Sequence, residues 1–352
     1  MELERPDLTQ LPPHVRAYIE ALEAKLARLQ AESEPEASES ASGPEEPPSH
    51  TSVITITEQG QVKRTPRHLY GRQRRGGMGV FGIDAAEADP PVGLVLADDD
   101  AGIILLTDQG RAFRLPVAEL PETPLNGRGR SILERFPLRA DERLALAFPD
   151  QPLDGRGAYL ILVTRRGQVR RIAAHFLGRS LQPGTVLYNV SEGGPPAAAC
   201  WSQGDQELFI VTRAGQATRF AERLVPVRGC LGMRVDPQDE VVGVAAIPAD
   251  GAVFLLSDQG KGTIRLMSGF SAHKSPGAAG KTAMRADQIV GAVPVQEGDD
   301  LLILSRLGKV IRFAAAEVPP KEGVVQGVNC MNLRADECVA VAVLPALAAA
   351  PA

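Results

Sequence analysis

The chain has 352 residues, a net charge of −5, 35 glycines and 28 prolines, and only 4% of its residues are aromatic. This composition favours many short strands joined by turns over long helices, and the length allows one large domain or two smaller ones. No apolar stretch reaches the roughly 18 residues of a membrane span, and the N-terminus lacks a signal peptide, so we expect a soluble, cytoplasmic protein.

The first predicted elements are a disordered N-terminus over residues 1–11 and one helix over residues 12–30, whose first turn suits Pro12 and Pro13. The apolar side chains of this helix recur at steps of four and three residues, at Val15, Ile19, Leu22, Leu26 and Leu29. A seam of about two heptads is marginal alone. We therefore expect the helix either to form a homodimer or to dock onto another protein.

Residues 31–50 contain six glutamates, four prolines and no apolar residue larger than alanine. Such a segment cannot bury enough surface to offset its chain entropy, which predicts a disordered acidic linker. The next thirty residues, 51–80, have the opposite charge, with six basic residues against one glutamate. A glutamate-rich tether beside this basic patch would compete with an anionic ligand, unless it is only a solubilising spacer.

From residue 51 onward, six repeats each run an apolar strand into Thr or Ser, two further residues, Gly, and a second strand that carries Arg. A tight β-hairpin turn explains the glycine, because one turn residue adopts a positive φ. The six glycines are Gly60, Gly110, Gly167, Gly215, Gly260 and Gly308. A second turn with Gly, an acidic turn and another apolar strand follow each hairpin. Four strands per repeat predict an all-β, six-bladed, propeller-like array.

The predicted repeats have approximate boundaries, and a short tail follows them at 347–352. The repeats span about 51–100, 101–150, 151–205, 206–250, 251–299 and 300–346.

The six hairpins, together with the heptapeptide QRRGGMG at residues 73–79, resemble the C-terminal domain of the bacterial DNA gyrase A subunit. The resemblance covers residues 51 to about 346 and implies a six-bladed β-pinwheel with DNA wrapped around its basic rim. The family's box is of the type QRRGGKG, and it is needed for wrapping. Met78 replaces the basic residue of the box, and the matching residues are Gln73, Arg74, Arg75, Gly76, Gly77 and Gly79. The related A protein of topoisomerase IV has a degenerate box, so the gyrase family fits better.

The box predicts recognition of a DNA backbone, because two arginines can clamp phosphate oxygens while glycines let backbone N–H groups approach the strand. The alternative is that the glycines only close a blade and the arginines are solvated. Other cations are candidates for a DNA track along the rim, although the arginine that recurs in each repeat could instead bond turn carbonyls within its blade. The rim candidates are Lys63, Arg64, Arg67, Arg72, Arg114, Arg128, Arg130, Arg170, Arg179, Arg228, Lys274, Lys281, Lys309 and Arg312.

Two motifs suggest nucleotide binding, and neither has the required context. The G-x-G-x-x-G run at residues 77–82 lacks a following helical pattern, and SPGAAGKT at 275–282 begins with Ser where a P-loop has Gly. DNA cleavage in the gyrase family needs a tyrosine beside an arginine; Tyr18 lies near an arginine, but nothing around it resembles a DNA-cleavage domain.

Four cysteines and five histidines without metal-ligand spacing predict free thiols, no metal and no cofactor. We therefore expect a protein that is not an enzyme.

The sequence thus predicts a non-catalytic protein that binds and wraps double-stranded DNA. Its role would lie in DNA topology or nucleoid architecture, with gyrase subunits as further candidate partners. The alternative is a propeller that kept the fold, lost DNA binding and serves as a protein-interaction scaffold. Salt-dependent binding to duplex DNA separates the two.

Overall fold

The computed structural model describes residues 46–132, 135–153 and 157–346. The predicted helix at 12–30, with its seam and the dimer interface assigned to it, lies outside these residues. The same holds for the predicted linker up to residue 45 and for the tail from residue 347.

The described residues form six antiparallel blades, as the sequence predicts. In each blade, the two strands of a hairpin lie in the middle, the last strand of the repeat pairs with the first hairpin strand, and a two-residue strand pairs with the second. The hairpins of blades 1 to 6 are Thr51–Thr57 with Gln61–Pro66, Gly102–Thr107 with Arg111–Pro116, Tyr159–Thr164 with Gln168–Ala173, Glu207–Thr212 with Gln216–Ala221, Ala252–Ser257 with Lys261–Leu266, and Asp300–Ser305 with Lys309–Ala314.

The last strands differ from the short strands in length and in origin. The last strands of blades 1 to 6 are Pro91–Asp98, Leu144–Pro149, Pro196–Ser202, Val241–Ile247, Ile289–Val295 and Cys338–Leu344. The short strands that complete blades 1 to 6 are Arg130–Ser131, Thr185–Val186, Cys230–Leu231, Lys281–Thr282, Val328–Asn329 and Val80–Phe81. Each short strand therefore belongs to the next repeat, and the short strand of repeat 1 completes blade 6.

One-turn 3-10 helices and two small pairings complete the described elements. The 3-10 helices are Arg67–Leu69, Val117–Glu119, Ala174–Phe176, Gly178–Ser180, Val190–Glu192, Glu222–Leu224, Met267–Gly269 and Ala315–Glu317. Met233–Arg234 pairs in parallel with Ala278–Ala279, and Pro320–Lys321 pairs in parallel with the second hairpin strand of blade 5.

The hairpin turns show why the sequence repeats Thr or Ser and Gly at fixed spacing. Gly60 has φ 78°, and its counterparts in the other five hairpins have φ between 73° and 85°. The hydroxyl of Thr57 accepts a hydrogen bond from the amide of Gln61 at 3.0 Å, and the equivalent Ser305 hydroxyl accepts one from Lys309 at 3.1 Å. The turn therefore needs a residue without Cβ strain and a hydroxyl acceptor four residues before the second strand.

The core lies between the blades, because each first hairpin strand is buried on both faces. In blade 6, Leu301 and Ile303 pack towards blade 5, whereas Leu302 and Leu304 pack towards blade 1. The last strands of neighbouring blades contact each other, including those of blades 6 and 1, so they form the inner edge of a closed ring. Successive side chains of a strand point to opposite faces, which explains why these strands read as continuous apolar runs. The short strands lie at the outer edge of each blade.

Candidate nucleic-acid interface

The box at residues 73–79 lies where the ring closes. The 3-10 helix of repeat 1 precedes it, and Val80–Phe81, the strand that completes blade 6, follows it directly. The amide of Gln73 donates to the carbonyl of Arg312 at 2.7 Å, and the amide of Gly76 donates to the carbonyl of Cys330 at 2.8 Å. The box therefore connects the first repeat to the last repeat of the chain.

The box glycines serve this closure. Gly76 and Gly79 have φ of 80° and 73°, and a Cβ on Gly79 would lie 2.7 Å from the carbonyl oxygen of Val310. The amide of Gly77 donates to the carbonyl of Arg74 at 3.3 Å, and the amide of Asn332 donates to the carbonyl of Gly77 at 2.9 Å. The prediction that glycine N–H groups face a DNA strand is therefore wrong for Gly76 and Gly77, whose amides bond within the protein.

The two box arginines are exposed at the outer edge of blade 6. Within the described residues, no hydrogen bond or ion pair holds the Arg74 guanidinium. Arg75 donates from Nη1 to the carbonyl of Asn329 at 3.1 Å, and its amide donates to Glu317 at 3.0 Å. Met78, at the position where the family has a cation, is 43% exposed. Arg74 and Arg75 can therefore reach an external phosphate without breaking an ion pair.

Lys63, Arg64 and Arg312 are not rim residues, because 1%, 9% and 2% of their surface is exposed. The Lys63 ammonium donates to the carbonyl of Leu125 at 2.5 Å, and burial lowers its pKa to about 8. Arg64 donates to the carbonyl of Leu120 at 3.0 Å and pairs with a carboxylate. The predicted role of these three residues in DNA contact is wrong, because buried cations need internal acceptors and lie inside the blades.

Four other predicted rim cations are not fully buried, but each already has a partner within the protein. They are Arg67, Arg72, Arg114 and Arg170. The side chains of Arg67 and Arg114 are 11% and 16% exposed, and each pairs with a carboxylate at 2.6 Å. Arg72 is 52% exposed and pairs with Asp300 at 2.9 Å. Arg170 is half-buried and donates to the carbonyl of Leu187 at 3.1 Å. Phosphate contact would compete with these bonds, so they are weaker candidates.

The other predicted rim cations are exposed, and they lie in or beside the segments that lead to the short strands, or at the start of the second hairpin strand. They are Arg128, Arg130, Arg179, Arg228, Lys274, Lys281 and Lys309. Arg128, 91% exposed, approaches Asp84 at 3.6 Å, which is a weak surface pair. Two exposed cations of blade 5, Lys261 and Lys321, were missed by the sequence prediction. Lys261 occupies the same hairpin position as Lys309, and the repeat alignment could have found it.

Glu46 forms a second link between the first and last blades. Its carboxylate accepts hydrogen bonds from Arg67 at 2.6 Å and from Arg312 at 2.9 Å. Burial raises the pKa of Glu46, but the hydrogen bond from Arg312 and the charges of Arg312, Arg67 and Arg72 outweigh burial, and the pKa is lowered. The carboxylate is therefore ionised where the blades meet, close to the box.

The two nucleotide-binding look-alikes have structural roles. Residues 77–82 run into the short strand of blade 6, and residues 275–282 end in the short strand of blade 4. In the described ranges no α-helix follows either segment.

The described part of the chain brings together no group of three or more His, Cys, Asp or Glu that could hold a metal ion, and the four cysteines are free thiols. Nor does any helix in it have the length and apolar character that crossing a bilayer requires.

The ring of six blades, closed by a strand from its first repeat, defines a β-propeller of the pinwheel type. A family sequence model, described as DNA gyrase C-terminal domain, beta-propeller, matches residues 51–94, 103–149 and 299–345. The resemblance predicted from the repeats and the box is thereby confirmed: three blades, the first, second and sixth, match the sequence model of that domain.

Curated relatives show the same resemblance. The DNA gyrase A protein of Escherichia coli is 28% identical over 296 residues, which cover 82% of this chain and 34% of that protein. The DNA gyrase A protein of Mycolicibacterium smegmatis is 29% identical over 302 residues, which cover 82% of this chain and 36% of that protein. The chain thus spans about a third of the length of the curated relatives it matches.

Two solved structures share the fold. A structure of the DNA gyrase A C-terminal domain superimposes with a TM-score of 0.73 at 22% identity and covers 84% of this chain and 100% of that one. A crystal structure of the C-terminal domain of DNA topoisomerase IV superimposes with a TM-score of 0.58 at 21% identity, over 84% and 94% of the two chains.

Proposed function

We propose that the chain binds duplex DNA along the outer edge of its ring and bends the duplex around it, without catalysing a reaction itself. The observation that carries this proposal is the distribution of exposed cations, because every blade presents at least one at its outer edge. From blade 1 to blade 6, examples are Arg128, Arg179, Arg228, Lys281, Lys321 and Arg74. A duplex presents phosphates at regular intervals, which suits a repeated cationic edge.

The box supports the same proposal, because its arginines remain exposed while its glycines hold the ring closed. Backbone contacts of this kind carry no base sequence information, so we expect binding without strong sequence preference. The relatives are gyrase proteins, and this relationship supports the proposal of a role in DNA topology or nucleoid architecture, with gyrase as a partner.

Salt dependence tests DNA binding directly. One phosphate contact per blade releases counterions at six places. The logarithm of the association constant for duplex DNA should therefore fall against the logarithm of the salt concentration with a slope of about −5. A flat slope, or no binding at low salt, would contradict the proposal. Wrapping is tested by sealing a nicked plasmid with ligase while the protein is bound and then measuring the linking number of the purified plasmid. A wrapped duplex changes the linking number, whereas a duplex that is bound without wrapping does not.

A protein-interaction scaffold is the second candidate, and exposed apolar side chains favour it. Phe176 and Val186 are 63% and 60% exposed, and Val227 is 86% exposed. Large exposed apolar side chains are typical of partner surfaces when they are contiguous. A scaffold would leave plasmid linking number unchanged, whereas DNA wrapping would change it.

A further inference from the structure

One arginine recurs four residues after the turn glycine of the hairpin in every blade except blade 5. In blades 1, 4 and 6 its guanidinium donates to a backbone carbonyl of the next repeat, and its own carbonyl accepts from an amide three residues further along that repeat. The arginine therefore holds, at two points, the segment that leads to the short strand of its own blade. The carbonyl, the arginine and the amide are Leu120, Arg64 and Thr123 in blade 1, Phe270, Arg219 and His273 in blade 4, and Tyr70, Arg312 and Gln73 in blade 6.

In blade 6 the segment held in this way carries the box. The amide of Gln73 donates to the carbonyl of Arg312 at 2.7 Å, and Nη1 of Arg312 donates to the carbonyl of Tyr70 at 3.1 Å. Arg74 follows Gln73 directly and is exposed, and the residue at the same position of blade 4, Lys274, is exposed as well. The two bonds therefore fix the backbone directly before an exposed cation.

The Arg312 guanidinium is itself held by carboxylates. Its Nη2 lies 2.6 Å from Oδ2 of Asp300, and Glu46 accepts from Nη1 at 2.9 Å. The strand register explains the first contact, because Arg312 pairs with Leu302, and Asp300, two residues earlier, points to the same face of blade 6. Arg312 and Asp300 are each 2% exposed, so water screens their pair much less than it screens a surface pair.

Asp300 also holds the box segment through a second arginine. Nε of Arg72 donates to Oδ2 of Asp300 at 3.3 Å, and Nη2 of Arg72 lies 2.9 Å from Oδ1. The side chain of Arg72 is 52% exposed and directly precedes the box. One buried carboxylate therefore connects the second hairpin strand of blade 6 to the exposed segment that crosses its outer edge.

We propose that Asp300 and Arg312 are positioning residues for the two arginines of the box. Asp300 does not contact DNA itself. It fixes the Arg312 guanidinium, which fixes the backbone directly before Arg74 and Arg75, so that the duplex meets both side chains on an ordered segment. A segment that is ordered before binding loses less conformational freedom when it binds. The role in DNA binding rests on the proposed function, whereas the anchoring of the segment does not.

Electrostatics alone predicts the opposite effect at Asp300. Removing a carboxylate near a DNA-binding surface reduces the repulsion of phosphates, so Asp300→Asn would tighten duplex binding if only its charge mattered. A positioning role predicts weaker binding. The sign of the change in affinity therefore separates the two.

The decisive experiment is a double-mutant cycle on the full chain, with duplex affinity at low salt as the readout. Asp300→Asn should weaken binding about tenfold, roughly the loss of one charge-assisted contact. In the Arg74→Ala/Arg75→Ala background the same substitution should cause no loss, because the side chains that it positions are absent. Asp300→Glu should keep the affinity of the wild type, since Glu207 pairs with Arg219 at the same position of blade 4.

Asp150→Asn is the matched control, because it takes a buried carboxylate from the recurrent arginine of blade 2. Asp150 is 8% exposed and lies 2.6 Å from Nε of Arg114. Within the described ranges, Arg114 has no hydrogen bond to the segment of repeat 3 that leads to the short strand of blade 2. The control loses the same charge and a similar ion pair, and we expect it not to weaken duplex binding.

Three outcomes of the cycle would overturn the proposal. They are unchanged or tighter binding by Asp300→Asn, an equal loss in Asp150→Asn, and a loss in Asp300→Asn that persists without the box arginines. Should Asp300→Asn fail to fold, Arg72→Gln breaks the exposed half of the contact. A loss that needs the box arginines would then support positioning, whereas an unchanged affinity, or an equal loss in both backgrounds, would refute it.

Amide exchange distinguishes a failure of this proposal from a failure of the proposed DNA binding. In Asp300→Asn the Gln73 amide should exchange about tenfold faster than in the wild type, whereas Asp150→Asn should leave it unchanged. If the wild type binds no duplex, the proposed function is refuted, and faster exchange at Gln73 still supports the anchoring by Asp300. Unchanged exchange at Gln73 in Asp300→Asn would refute the positioning role, whether or not the chain binds DNA.

Discussion

Replacing Gly79 tests whether the box holds the ring closed. Gly79 has φ 73°, where an alanine costs about 1–2 kcal/mol. A Cβ there would also lie 2.7 Å from the carbonyl oxygen of Val310 and 2.9 Å from its carbon, both backbone atoms that cannot move independently. Relief requires the strand Val80–Phe81 to leave blade 6, with the loss of hydrogen bonds worth about 1 kcal/mol each. We expect Gly79→Ala to lower the free energy of unfolding by about 2–4 kcal/mol.

Gly71→Ala is the matched control, because it lies in the same segment and a Cβ at Gly71 meets no atom within 4 Å. We expect its effect to stay within about 0.5 kcal/mol. Urea unfolding measures both variants, and amide exchange at Phe81 reports whether the short strand detaches. Equal stability of the two variants would refute a closing role for the box glycine, as would unchanged protection at Phe81.

Three further predictions concern charge. Replacing Arg74 and Arg75 with Ala should weaken duplex binding by about 1–3 kcal/mol for each contact and leave the Tm nearly unchanged, and a large Tm loss at constant affinity would contradict this. Because the pKa of Glu46 is lowered in the fold, its ion pairs stabilise the protein above its unfolded pKa and are lost as pH falls through the folded pKa. Glu46→Gln should therefore lower stability at pH 7, and its difference from the wild type should shrink as the pH falls below 4.5; a difference that does not depend on pH would argue against the ion pairs. Deleting residues 31–45 should tighten DNA binding at low salt and have no effect at high salt, whereas equal affinities throughout would make this segment a spacer.

The hairpins were predictable because their signals are local. Each needs a hydroxyl acceptor, a glycine at positive φ and two strands of alternating faces, and all of these lie within about a dozen residues, as in Thr57 to Gln61. The exchange of short strands was not predictable. A two-residue strand such as Val80–Phe81 has no periodicity, and its partner lies at the far end of the chain.

The set of exposed rim cations was only partly predictable, because burial depends on segments that are distant in the sequence. Arg64 and Arg74 have the same charge and similar neighbours in sequence, but one is 9% exposed and bonded inside a blade while the other is exposed. The carboxylates that neutralise the buried arginines come from other segments of the chain, and Glu46 comes from a segment predicted to be disordered. Burial and pairing of this kind depend on long-range packing.

The exchange of short strands also sets an order for folding during synthesis. Blades 1 to 5 can each be completed when the next repeat leaves the ribosome, because that repeat supplies the missing strand. Blade 6 is different, because Val80–Phe81 is made about 230 residues before its partner Lys309–Val310. At about 5–20 residues per second, this strand waits on the order of ten to fifty seconds. Throughout that time the box and its two arginines are already exposed to solvent and DNA, while the ring that will hold them is still open.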